Sequence, residues 1–183
     1  MNSEPKVGPI VFTEIQYNPN TTNTGDEYIE LKNISDKAVT LQDAVGTETT
    51  PGVFVTTIES WRFTDGIDYI FPANATIPAG GYLIVCKNLQ SFQGKYGTAI
   101  PALQWTSGSL DNGGEKIRLS RPGDWELGQT DRFWIREEQV TYDDVAPWPT
   151  TPDGGGKVLR RINATAYGND AANWQAADPS PGN

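Results

Sequence analysis

The feature that most constrains this chain is an apolar period of two that returns in short runs. In "DEYIELKN" (Asp26–Asn33) Ile29 and Leu31 point one way, and Tyr28, Glu30 and Lys32 the other. That is the signature of a strand with one face on a core and one in water. "IVFTEIQYNP" (Ile10–Pro19), "AVTL" (Ala38–Leu41), "KIRLS" (Lys116–Ser120), "QVTYDDV" (Gln139–Val145) and the run Lys157–Ile162 repeat it. Turn chemistry bounds each run: Asn18-Pro19 ends the first, and Asp65-Gly66 sits between apolar residues as a hairpin signal. Tyr82–Lys87, nearly all apolar, is predicted to be a central strand. Only Leu89–Gly97 has helical spacing, through Leu89, Phe92 and Tyr96, and it spans one to two turns.

Many short strands with one short helix predict an all-β sandwich or barrel. The 183 residues suit one domain over 10–183, after a flexible N-terminal tail over 1–9. No internal repeat is present. Two stretches depart from the pattern. Residues 42–60 read as an excursion with a short extra strand near "VFVTTI", and residues 121–138 as a second, polar excursion.

Composition excludes several chemistries. The chain has no histidine, so a Ser-His-Asp triad, a Cys-His pair and a His-based zinc site are impossible. The one cysteine, Cys86, lies in the apolar run "YLIVCK" and is expected to pack as a small hydrophobe. With 14 basic and 23 acidic side chains, the net charge is −9, which disfavours nucleic acid and anionic membrane surfaces as partners. No apolar run reaches the length of a membrane span, so no membrane insertion is expected, and "MNSEPKVGP" lacks the apolar stretch of a signal peptide.

The stretch "GSLDNGGEKIRL" (Gly108–Leu119) offers paired glycines that could cradle a phosphate. A phosphate loop needs a lysine and a Ser or Thr after its last glycine, at the start of a helix. Here Gly113-Gly114 is followed by Glu115-Lys116 and a strand pattern, so the pair is read as a turn.

In series, "TEIQYNP", "DEYIELKN", "WRFTDGIDYIFP", "TIPAGGYLIVCKN", "GSLDNGGEKIRL", "VTYDDVAPWP", "DGGGKVLRRI" and "NDAANWQAADPSPGN" resemble the lamin tail domain family, and its bacterial members in particular. The resemblance covers about residues 10–183. It implies an immunoglobulin-like β-sandwich, and an accessory module of secreted or cell-surface proteins rather than an enzyme. An extracellular, periplasmic or cell-surface location follows from the same likeness. The sequence departs from the family at the long stretches 42–60 and 121–138, and at Arg160-Arg161, where an acidic or polar position is expected.

Three functional readings follow. The first is a non-catalytic, monomeric binding module whose partner is a protein or glycan at the cell surface, met by loops and an exposed strand edge. The second is a carbohydrate-binding module that stacks sugars on exposed indoles. Trp125 and Trp134, in the polar excursion, and Trp148, between two prolines, are its candidates, whereas Trp61 and Trp174 are expected in the core. The third is a hydrolase using paired carboxylates, such as Glu14 with Glu30 or Glu27 with Asp143. No cofactor is expected, apart from a candidate Ca²⁺ set of Glu14, Asp26, Glu27, Glu30, Asp143 and Asp144 on or beside strands. Glycosylation sequons stand at Asn20, Asn33, Asn74 and Asn163.

Overall fold

The computed structural model describes residues 7–19 and 24–183. Most of the expected tail, and the Asn20 sequon, lie outside them. Pro9, assigned to that tail, already accepts a hydrogen bond from Ile34 N at 2.9 Å.

Strands β1 (Ile10–Gln16) and β2 (Tyr28–Asn33) come first, then β3 (Val39–Thr40), β4 (Gln42–Thr50), β5 (Val53–Ser60), β6 (Arg62–Asp65), β7 (Thr76–Ile77) and β8 (Tyr82–Cys86). Helix α1 (Leu89–Tyr96) follows, then β9 (Ala102–Gln104), β10 (Lys116–Pro122), β11 (Trp134–Thr141), β12 (Val158–Arg161) and β13 (Trp174–Ala177). A six-stranded sheet in the order β13-β12-β1-β2-β8-β9 faces a three-stranded sheet, β11-β10-β6. The fold is an all-β sandwich with one short helix, as expected.

Alternation builds the core. Phe12, Ile15, Ile29, Leu31, Leu83, Val85 and Leu159 turn inward from the large sheet and meet Phe63, Ile117, Leu119 and Val140 from the small one. The rings of Phe12 and Phe63 stack across the layers at 5.9 Å. Burying each such side chain contributes about 1.5–3 kcal/mol, which makes register strongly specified.

The other face of the large sheet is covered too. Helix α1 lays Phe92 on Tyr28, Ile84, Cys86 and Val158. Asn88 caps that helix by accepting from Ser91 N at 2.9 Å. The paired glycines form the expected turn. Gly114 has φ of 102°, and a Cβ there would lie 2.6 Å from the Tyr142 carbonyl oxygen. Only glycine fits that approach.

The two excursions are corrected. Residues 42–60 are not a loop with a short strand but a hairpin of two long strands, β4 and β5, turning at Pro51-Gly52. The expected strand Gln139–Val145 begins earlier, at Trp134, and ends at Thr141, so Asp143 and Asp144 fall in the following loop. Pairing with β10 from Pro122↔Trp134 to Lys116↔Thr141 sets those limits. Strand β13 completes the large sheet against β12, where the sequence showed only Trp174 as an anchor.

Candidate functional site

The hairpin β4–β5 stands apart from both large layers as its own two-stranded sheet. A short segment after β10 fastens it. Trp125 N donates to the Gly46 carbonyl at 2.9 Å, and Glu48 N donates to the Trp125 carbonyl at 2.8 Å. Gly46 N reaches the Asp124 carboxylate at 2.7 Å. The Glu48 carboxylate accepts from Gly52 N at the hairpin tip and from Leu127 N in the loop. Those two backbone bonds hold its pKa below the usual carboxylate range. Arg132 closes the far end, pairing with Glu59 at 2.8 Å and donating to the Gly123 carbonyl.

The hairpin and this loop form one arm. Among the described residues eleven large apolar side chains are exposed, and seven lie on the arm: Val53, Phe54, Val55 and Ile58 on β5, and Trp125, Leu127 and Phe133 in the loop, with Ile135 at the adjoining start of β11. Scattered exposed apolar residues are ordinary, but a concentration on one projecting element marks a contact surface.

The ladder geometry defines the arm's edge. Gly46 and Glu48 send their backbone groups to the Trp125 segment, away from β5. In an antiparallel pair successive residues point alternately, so Val45 and Thr47 bond across to Thr57 and Val55. Their neighbours on β5 (Phe54, Thr56 and Ile58) therefore point N–H and C=O outward, on the side where β5 has no adjacent strand among the described residues.

The six carboxylates named as a Ca²⁺ set do not come together. They occupy three places. Glu14 and Glu30 are cross-strand neighbours on β1 and β2, both buried. Asp26 and Glu27 lie ahead of β2, where Asp26 pairs with Lys95 at 3.6 Å and Glu27 with Lys87 at 2.5 Å. Glu27 also accepts from Leu110 N. Asp143 and Asp144 stand side by side in the loop after β11, and the hydrogen bond that the protonated Asp144 carboxyl shares with Asp143 raises the Asp144 pKa. No group of three or more acidic or Cys side chains among the described residues is placed to hold a metal ion. The physical reason is topological: β11 neighbours β10, not β2.

Glu14 and Glu30 border a cavity of about 260 Å³ with Lys32, Tyr82 and Arg160. Their oxygens are taken up by the chain. Glu14 accepts from Tyr28 OH at 2.7 Å, Arg160 Nε at 2.8 Å and Ser180 Oγ at 3.0 Å. Glu30 accepts from Thr13 Oγ1 and from Gly182 N, each at 2.6 Å. Burial pushes the Glu30 carboxyl up to about 7, against those two hydrogen bonds, with Glu14 adding to the rise. The pair thus ties residues 180–182 across the outer face of the sheet. Arg160 and Arg161 serve internal packing. Arg160 pairs with Glu14, and Arg161, fully buried, pairs with Glu138 at 2.6 Å and donates to the Phe12 carbonyl.

The indoles separate. Trp61 and Trp174 are in the core. Trp125 is 40% exposed, on the arm. Trp134 is half-buried, with the Arg62 guanidinium 3.8 Å from its ring centroid, and Arg62 borders an open cleft of about 450 Å³ with Asp65, Asp68 and Ile70. Trp148 is a correction: it is buried, its ring 6.2 Å from that of Trp174. The flanking prolines suggested a surface position, but the 146–156 segment folds the indole inward.

The sequence signal for the arm was the uncharged run "VFVTTI", rich in strand formers. No helix of the described residues is long and apolar enough to cross a membrane. Comparison with protein-family models, curated proteins and solved structures finds no match.

Proposed function

We propose that this chain is a non-catalytic recognition module of the lamin tail type, displayed by an exported or cell-surface protein, and that it meets another polypeptide through the β4–β5 arm. The observation that carries the reading is the gathering of seven of the eleven exposed large apolar side chains of the described residues on that arm. A contact that desolvates several of them gains about 1.5–3 kcal/mol per side chain, so two or three aromatic and branched anchors suffice for binding. The series of eight sequence segments supports the family, and the family supports export. The non-catalytic reading is supported by the use of Glu14, Glu27 and Glu30 in internal hydrogen bonds.

Selection of a random peptide library on the intact protein tests this. Peptides enriched on the wild type lose binding to a Val53→Ser/Phe54→Ser/Ile58→Ser variant whose thermal unfolding is unchanged. Peptides indifferent to those three changes would refute the arm as the contact. A second reading, glycan binding, has one observation behind it: Arg62, stacked on the half-buried Trp134, also borders a cleft that sets Tyr69 beside Asp65 and Asp68. Saturable binding on a glycan array, abolished by Trp134→Ala, would favour it instead.

A further inference from the structure

An edge strand with free backbone groups and no charge is an unusual thing for a protein to expose. Edges are ordinarily blunted by lysine, proline, a bulge or a covering loop. Strand β5 carries none of these protections between Val53 and Ile58, and no charged residue occurs from Thr49 to Ile58. The Trp125 segment lies along the opposite edge of the hairpin, on β4, and among the described residues no strand pairs with the outer edge of β5.

We infer that the outer edge of β5 pairs with the same edge of a second copy of this chain, antiparallel and about a two-fold axis through Thr56. The inference rests on the arm being a recognition surface and names one occupant for it.

The residues themselves set the register. Within the exposed, uncharged stretch Val53–Ile58 the outward residues are Phe54, Thr56 and Ile58, and Ser60, the next in the alternation, is only partly exposed; pairings through this stretch therefore match these three to one another. An antiparallel two-fold centred on Thr56 matches all of them. Thr56 faces Thr56 of the copy, and Phe54 faces Ile58 of the copy in both directions. Each facing pair exchanges two N–H···O bonds. The result is a continuous four-stranded sheet, β4-β5 followed by β5-β4 of the copy.

Side-chain chemistry agrees with that register. Phe54 opposite Ile58 is an aromatic against a β-branched side chain, and Thr56 opposite Thr56 sets hydroxyl against hydroxyl. Both are favourable cross-strand combinations. On the other face Val55 meets Thr57. Glu59 stands opposite Val53 of the copy rather than another carboxylate, so no like charges confront one another along the seam. A two-fold centred on Val55 or on Thr57 would match only two of the three to one another, leaving Ile58 or Phe54 out. The association also closes: an isologous contact uses the same edge of both chains, so pairing through β5 stops at two.

Two copies with net charge −9 repel at long range. Association is therefore weak at low salt and strengthens as salt screens the repulsion. A seam of one strand pair falls in the small, reversible class of interfaces, with half-association expected at about 10–100 µM.

The two-fold makes Thr56 its own partner, and that gives a decisive experiment. Sedimentation of the full chain is measured against concentration for wild type, Thr56→Lys, Thr56→Glu and an equimolar mixture of the two variants. Circular dichroism and thermal melts confirm that each is folded. Wild type is expected to rise from the 20.0 kDa of one chain to twice that mass and no further. Each variant alone sets like charges face to face and weakens association at least about ten-fold. The mixture opposes lysine to glutamate and regains the doubled mass. The inference is overturned if wild type keeps the mass of one chain, if it grows beyond two chains, if Thr56→Lys associates like wild type, or if the mixture stays monomeric. A monomeric wild type whose selected peptides still require Val53, Phe54 and Ile58 would remove self-pairing and leave the recognition reading intact.

Discussion

Replacing Glu30 by glutamine should make the protein more stable above neutral pH, contrary to the usual fate of a buried polar substitution. Burial raises the Glu30 pKa from 4.5 to about 7 in the fold. A carboxyl with a raised folded-state pKa binds its proton more tightly in the native state than in the unfolded chain. Its contribution is fully present below about pH 4.5, declines as pH rises through about 7, and is gone above that. At about 1.4 kcal/mol per pKa unit, the full swing is about 3 kcal/mol. Glutamine mimics the protonated form. Its carbonyl oxygen can accept from Gly182 N and its amide can donate to Thr13 Oγ1, the two partners that Glu30 now has. Loss of charge-assisted bonding offsets part of the gain. We expect Glu30→Gln to exceed wild type by about 1–3 kcal/mol near pH 8 and to match it near pH 5. Urea unfolding followed by tryptophan fluorescence from about pH 5 to 8.5 measures both. The neighbours Glu14, Lys32 and Arg160 are common to both proteins, so the difference isolates residue 30. A variant less stable than wild type near pH 8, or one with the same pH slope, would refute the reasoning.

Other substitutions have outcomes of different kinds. Arg161→Met leaves Glu138 buried without its partner and should cost about 3–5 kcal/mol in urea unfolding. Gly114→Ala places a Cβ against the Tyr142 carbonyl at positive φ and should cost about 2–4 kcal/mol; a thermal melt unchanged from wild type would contradict the turn geometry. Trp148→Ala removes a buried indole packed on Trp174, so a fall in stability of about 3–5 kcal/mol is expected, with no selective effect on ligands.

What could be read in the sequence was whatever a short window records. The β10 side chains alternate because one face meets the core. Strands β1, β2 and β8 read as strands from their apolar runs, but both of their faces are covered, so Tyr28 and Glu30, expected in water, are buried. The α1 spacing and the Gly113-Gly114 turn were legible for the same local reasons. The β4–β5 hairpin was not, because neither of its faces is buried in a layer and no apolar period is imposed on it. β13 needed its partner β12 before it had a reason to extend. The carboxylates misled for a long-range reason: Glu14 is completed by Arg160 and Ser180, and Glu30 by Gly182, contacts that no local window contains. Trp148 was misread because its prolines speak for a turn and say nothing of which way the indole points.

Amide hydrogen exchange along β5, read residue by residue in dilute protein, reaches the core of this description. Phe54, Thr56 and Ile58 should exchange quickly while Val55 and Thr57 are protected, and the three fast amides should slow as concentration rises. Uniform protection at every dilution, or uniformly fast exchange along the strand, would show that β5 has no open edge to offer.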